Sequence, residues 1–133
     1  MTKFLGIDYG TKRVGIALSD DGGRIAFPRG VFANDKKLLE NVVKLCDDEN
    51  ISGIVMGEST NSQGKPNSVH FVAKSFAKDF ATKCTLPIYW EPEFMTSMHA
   101  AIGERKGEFK KEALDASAAA LILQRFLDKR NNK

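Results

Sequence analysis

The chain has 133 residues, of which 42% are apolar and 28% are charged, and its formal net charge is +3. These values are typical of one globular domain, spanning residues 1–133, and they exclude disordered and fibrous chains. No apolar run reaches the roughly 18 residues that a membrane span requires, and no signal peptide precedes Phe4. We therefore expect a cytoplasmic protein without a membrane partner. Cys46 and Cys84 form no CxxC pattern, which favours buried thiols over a disulfide or a metal site.

The first half of the chain predicts a hairpin, an edge strand and the start of a crossover. The apolar runs at 4–8 and 14–18 flank a turn at 9–12, and residues 24–32 predict a third strand, edge or bulged because it contains Pro28. Asn34 or Asp35 can cap a helix that runs to about Glu49 with an apolar stripe at helical spacing. The apolar run at 51–57 predicts a fourth strand that is covered on both faces.

The second half predicts two long helices around a fifth strand. The predicted elements are a loop at 58–67, a helix at 66–83, a strand at 86–90, a helical turn or two at 95–102, a charged loop at 103–111 and a helix from 114 to about 129. The order βββαβαβα predicts an α/β fold, a mixed sheet with helices on both faces. Functional groups in such sheets gather at the carboxyl ends of the central strands.

Several carboxylates occupy such positions. Asp8 ends the first strand, Glu58 follows the fourth, and Glu91 and Glu93 follow the fifth. A buried strand-end carboxylate is costly unless it is paired, although Asp8 could simply cap its turn. Asp115 shares the apolar stripe of the last helix, with the alternative that it is that helix's N-cap.

Acids that converge without Cys or His suit hard cations, so the pattern predicts Mg²⁺ or Mn²⁺. Two such ions can activate a water and stabilise the leaving oxygen of a phosphodiester. The residues suited to contacting a phosphate backbone are Gly10, Thr11, Lys12, Arg13, Lys65, Arg105 and Lys106. Tyr9 or Trp90 could stack on a base or pack in the core. His99 could contact a phosphate, whereas His70, on a helix among apolar residues, has a surface or structural setting.

Four segments resemble one known family. LGIDYGTKRVGIALSD, the strand IVMG with NSQG beyond it, EPEFMTSMHAA and LDASAAALILQRFL resemble, in order and spacing, the YqgF family, also called the RuvX-like Holliday junction resolvases or pre-16S rRNA nucleases. The resemblance implies an RNase H-like fold with strand order 3-2-1-4-5, in which the second strand is antiparallel. It also implies metal-dependent phosphodiester cleavage in maturing the 5′ end of pre-16S rRNA.

The same resemblance assigns roles to three acids. Asp8 matches the family's first-strand acid, and Asp115 matches its acid in the last helix. Glu93 matches the Glu of the family's D-E-R-L-[ST]-T segment. This sequence departs from that segment at Pro92 and Phe94, where the family has Asp and Arg. Glu58 stands where the family usually lacks an acid and is a possible fourth metal ligand.

Three classes of function are consistent with these residues. The first is a metal-dependent nuclease acting on structured RNA within pre-ribosomal particles, or on branched DNA, as a monomer or homodimer. The second is a phosphotransferase or ATPase of the actin and sugar-kinase type, which needs two such domains where this length provides one. The third is a non-catalytic RNA-binding factor for ribosome assembly.

Overall fold

The computed structural model describes residues 2–58, 68–92 and 111–132, with side chains from residue 116 onward in the last range. Its elements are β1 (Phe4–Tyr9), β2 (Arg13–Ser19), β3 (Ala26–Ala33), α1 (Leu38–Asp48), β4 (Gly53–Glu58), α2 (Ser68–Lys83), β5 (Ile88–Pro92) and α3 (Lys111–Asn131). Every strand and long helix that the sequence predicts is therefore found, in the predicted order. Apart from residues 58 and 111, the predicted loop at 58–67, helical turn or two at 95–102 and charged loop at 103–111 lie outside the described residues.

The five strands form one mixed sheet in the order β3-β2-β1-β4-β5. β2 pairs antiparallel with both β1 and β3, whereas β4 pairs parallel with both β1 and β5. The strand order and the antiparallel second strand implied by the family resemblance are confirmed. Because β1, β4 and β5 are parallel neighbours, their carboxyl ends meet at one edge of the sheet.

Alternating side chains along the strands divide the core into two clusters. One face, with Ile7, Ile54 and Met56, packs against α1 and α2. The other face, with Phe4 and Val55, packs against α3. β4 contributes to both clusters, so the prediction of a strand covered on both faces is confirmed.

Local hydrogen bonds explain where several elements begin and end. Asp35 Oδ1 accepts a hydrogen bond from the Lys37 amide at 2.9 Å, so this side chain closes a turn and α1 starts only at Leu38. The β2–β3 turn is held by Asp20, whose Oδ1 accepts the Arg24 and Ile25 amides at 2.8 and 3.1 Å. These backbone donors lower the pKa of the Asp20 carboxyl.

β3 is an edge strand with an irregular register, as Pro28 predicts. The pairing with β2 shifts between Ile16 and Ala17, where Pro28 faces Ala17. At the opposite edge, β5 begins at Ile88, two residues later than expected. Pro87, just before it, has no N–H to donate, and its carbonyl accepts a hydrogen bond from the Ile54 amide at 2.9 Å.

Both cysteines are free thiols, as predicted. Cys46 is buried in α1, and Cys84 follows α2 and is half-buried. Burial, together with the nearby Cys84, raises the pKa of the Cys46 thiol to about 12. This thiol therefore stays protonated at neutral pH. Within the ranges the structure describes, no helix is both long and apolar enough to cross a bilayer.

Candidate functional site

The candidate site lies at the edge where β1, β4 and β5 end. Asp8 is the penultimate residue of β1 and pairs in register with Gly15 of β2. It is half-buried, whereas the four residues before it in β1 are buried. Asp8 thus stands where the buried strand reaches the surface, which confirms its predicted place at the end of the first strand.

The turn after β1 is tight and is braced from a distant part of the chain. A Cβ atom on Gly10 would lie 2.4 Å from the Arg13 carbonyl oxygen, so only glycine fits this approach. Asn34 donates from its side chain to the Gly10 carbonyl at 2.7 Å and from its backbone to the Lys12 carbonyl at 3.0 Å. Thr11 and Lys12 are exposed, and Arg13 is half-buried at the start of β2. The structure therefore holds four predicted phosphate-contacting residues in a tight, hydrogen-bonded turn beside Asp8.

Helix α3 crosses the sheet face close to β1. A Cβ atom on Gly6 would lie 2.8 Å from the Leu123 Cβ and 3.1 Å from the Ala119 carbonyl oxygen. Phe4, two residues earlier, stacks edge-on against Phe126 with ring centroids 5.4 Å apart. Residue numbers along α3 therefore fall as those along β1 rise, so the two elements run antiparallel.

This direction sets the level of the helix backbone at Asp8. Two residues of strand, from Gly6 to Asp8, advance about 6.7 Å, equal to between four and five residues of helix. Counting back four residues from Ala119 and from Leu123, the backbone between positions 115 and 119 reaches the level of Asp8, and position 115 is at the outer end of this range. The helix begins at Lys111, so the alternative that Asp115 is its N-cap is wrong. The side chain of Asp115 lies outside the described part.

Glu58 ends β4 and is half-buried. Ile54 and Met56 pack in the α1–α2 cluster, and alternation along the strand places Glu58 on that same face. Asp8 follows Gly6 and Phe4 on the α3 face. Glu58 would therefore have to reach around the strand end to share a ligand with Asp8.

One acid has a role that the sequence did not reveal. Glu91, expected to follow the fifth strand, lies within β5 and is 3% exposed. Its Oε2 lies 2.6 Å from the Lys129 Nζ and 3.9 Å from the Arg125 Nε, both on α3. No local pattern in the sequence signals this pair, because Lys129 is 38 residues from Glu91 along the chain. This ion pair ties the end of β5 to the helix that carries Asp115.

Replacing Lys129 by Met is expected to lower the free energy of unfolding by about 1–2 kcal/mol, because among the described side chains it leaves the buried Glu91 carboxylate with the longer Arg125 contact at 3.9 Å. Lys129 is itself 58% exposed, which limits the loss through solvent screening. Urea denaturation followed by circular dichroism measures the change. Lys129→Arg should retain most of the stability, and Lys44→Met, on the exposed side of α1, is the matched control. Equal midpoints for Lys129→Met and Lys44→Met would contradict this role.

The remaining candidates divide into half-buried aromatic residues packed against α2 and residues outside the described ranges. Tyr9 packs against Phe76 with ring centroids 5.5 Å apart, and Trp90 packs edge-on against the buried His70 at 5.3 Å. His70 is thus buried and structural, which is one of the two settings predicted for it. The candidates outside the described residues are Glu93, Phe94, Lys65, His99, Arg105 and Lys106.

The donor chemistry at this edge is that of hard oxygen ligands. Among the side chains that the structure describes, no three His, Cys, Asp or Glu residues come together. Of the three acids predicted to bind metal, Asp8 is described and the side chains of Glu93 and Asp115 are not. Carboxylates without His or Cys fit Mg²⁺ or Mn²⁺ better than a softer metal.

Two comparisons of sequence identify relatives across almost the whole chain. The profile of the RuvX family, described as a Holliday junction resolvase, matches residues 2–129. A protein of Nitratidesulfovibrio vulgaris named "Putative pre-16S rRNA nuclease" is 34% identical over 132 residues, covering 95% of this chain and 93% of the relative. A Paraburkholderia phymatum protein of the same name is 35% identical over 126 residues, covering 93% and 83%.

Solved structures share the architecture. RuvC of T. thermophilus, in complex with a Holliday junction substrate, has a TM-score of 0.62 at 13% identity, covering 100% of this chain and 98% of that chain. The fowlpox virus Holliday junction resolvase has a TM-score of 0.56 at 13% identity, covering 96% and 99%. At these identities the likeness concerns the fold, and it confirms the predicted RNase H-like fold. With the profile match and the two relatives above, the chain belongs to the RuvX family, as its four motifs implied.

Proposed function

We propose that this protein is a Mg²⁺- or Mn²⁺-dependent endonuclease that processes the 5′ end of pre-16S rRNA within pre-ribosomal particles in the cytoplasm. The observation that carries the proposal is the placement of Asp8 at the carboxyl end of β1, at the level where the first turns of α3 cross the sheet. The names of the relatives supply the substrate class.

In this proposal, Asp8, Glu93 and Asp115 are the catalytic residues and hold the metal. Glu58 is a fourth proposed ligand, through a side chain that bends around the end of β4. When bound, Mg²⁺ or Mn²⁺ supplies activation of a water and charge stabilisation of the leaving oxygen. An all-oxygen donor set is the chemistry these ions prefer.

The other proposed roles belong to the β1–β2 turn and to the segments around it. Lys12 and Arg13 would neutralise backbone phosphates next to the scissile one, and Gly10 and Thr11 would let the strand approach closely. Because Asn34 braces this turn through two hydrogen bonds, the residues that would make these contacts are positioned before substrate binds. Further proposed phosphate contacts come from Lys65, Arg105 and Lys106.

The family's description as a Holliday junction resolvase favours a second candidate substrate, branched DNA. Both substrates present a phosphodiester backbone to the same acids, so the site chemistry is shared. The two candidates differ in the substrate architecture that the surrounding surface must accept.

The test is a cleavage assay of the purified protein on two labelled substrates, a 5′-extended 16S rRNA precursor fragment and a synthetic four-way DNA junction. We expect cleavage of the RNA in Mg²⁺ and none in EDTA. Cleavage of the junction and not of the RNA would move the protein to the second candidate. Binding of the RNA without cleavage of either substrate would contradict the nuclease and favour the non-catalytic assembly factor.

A further inference from the structure

A groove between α2 and β5 lies outside the candidate site. Its volume is about 490 Å³, and its lining includes Phe71, Lys74 and Lys78 of α2 with Ile88 and Trp90 of β5. The α2 residues recur at i, i+3 and i+7, so they share one face of the helix. The β5 residues are two apart and share one face of the strand.

The groove combines exposed aromatic surface with positive charge. Phe71 is 64% exposed, so its ring is accessible on the groove surface. Trp90 is half-buried, and its ring is fixed by the edge-on contact with His70 at 5.3 Å. Lys74 and Lys78 are exposed, and no acidic side chain lines the groove within the described residues.

The direction of the groove relates it to the candidate site. Trp90 contacts His70, at the start of α2, whereas Ile88 lies in the groove with Lys78, farther along the helix. The aromatic end of the groove is therefore nearest the carboxyl end of β5. That end belongs to the same sheet edge as Asp8, but the groove is on the α2 face and Asp8 is on the α3 face, so a strand joining them would pass over this edge.

We infer that this groove binds a single strand of nucleic acid that continues from the candidate site, with a base stacked at Phe71 and Trp90 and phosphates at Lys74 and Lys78. Aromatic surfaces flanked by lysines suit single strands, because every base has a stacking face and every nucleotide a phosphate. The inference rests on the proposed nuclease function, for which it names a second contact region.

The experiment uses the single tryptophan of the chain as a reporter placed in the groove. A single-stranded oligouridine of about ten nucleotides is titrated in EDTA, where cleavage does not interfere, and the fluorescence of Trp90 is recorded. We expect the oligonucleotide to quench Trp90 and Phe71→Ala to weaken binding by about tenfold. The matched control is Val72→Ala, because Val72 is a neighbouring side chain that is 47% exposed and lies outside the groove lining.

The lysines are tested through salt dependence. The double variant Lys74→Gln and Lys78→Gln should reduce the slope of log affinity against log salt by about 1.4, since each single-strand phosphate contact contributes about 0.7. Lys83→Gln, on the same helix and outside this groove, should leave the slope unchanged. Circular dichroism confirms that each variant is folded.

Two results would overturn the inference. One is a Phe71→Ala affinity equal to that of Val72→Ala, with an unchanged slope in the double lysine variant. The other is a set of groove variants that bind the oligonucleotide normally but differ from the wild type in molar mass, measured by light scattering. That result would assign the groove to contact between copies of the protein. A protein that binds through the groove but cleaves nothing in Mg²⁺ would refute the proposed nuclease and leave the groove assignment intact.

Discussion

Replacing Asp8 by Asn is expected to reduce the rate of phosphodiester cleavage by about a thousandfold, or about 4 kcal/mol of transition-state stabilisation. The amide keeps the size of the side chain but removes the negative charge that a hard cation requires. Because Asp8 is half-buried at a strand end, we expect the free energy of unfolding to change by less than about 1 kcal/mol. Cleavage of the 5′-extended RNA under single-turnover conditions and urea denaturation measure the two quantities.

Asp21→Asn is the matched control for this variant. Asp21 is exposed in the β2–β3 turn, and its carbonyl accepts the Thr2 amide, which places it at the end of the sheet opposite Asp8. The control should cleave at the wild-type rate. An Asp8→Asn protein that stays folded and keeps more than a tenth of wild-type activity would remove Asp8 from the catalytic residues.

Replacing Gly6 by Ala is expected to lower the free energy of unfolding by about 2 kcal/mol and to reduce cleavage as well. The added methyl group would meet the Leu123 Cβ at 2.8 Å and the Ala119 carbonyl oxygen at 3.1 Å. Neither atom is the tip of a flexible side chain, so α3 must move away from β1. The same movement would withdraw position 115 from Asp8. Urea denaturation and the cleavage assay measure the two losses.

Gly22→Ala is the control for this change, because a Cβ atom there would have its nearest contact at 3.7 Å, to the Asp20 Oδ2. Leu123→Ala should not rescue Gly6→Ala, since the clash is with the Cβ and the backbone, which alanine retains. Equal stability of Gly6→Ala and Gly22→Ala would show that α3 does not depend on this close approach.

Local patterns were sufficient to predict the types and order of the elements. The i, i+3, i+4 apolar spacing from Ala73 to Phe80 gave α2, and the continuous run through Val55 gave a strand covered on both faces. Strand order came from the family resemblance, because the same hydrophobic pattern is compatible with several arrangements of the strands. The start of β5 was misplaced because Leu86 and Pro87 have the composition of a strand but do not pair as one.

Long-range contacts within the candidate site were beyond such reasoning. Nothing local in the sequence indicates that Gly6 lies under Leu123, or that Glu91 turns inward to Lys129. Both depend on how α3 crosses the sheet, which the pattern of one element does not specify. The face occupied by Glu58 likewise follows only from the register of β4, because a shift of one residue would reverse it.

The most direct test of the metal site is a crystal structure of the protein soaked in Mn²⁺, with anomalous scattering used to locate the ion. The account predicts an anomalous peak within about 2.5 Å of a carboxylate oxygen of both Asp8 and Asp115. Manganese bound elsewhere, with the carboxylates of Asp8 and Asp115 on opposite sides of the molecule, would contradict it.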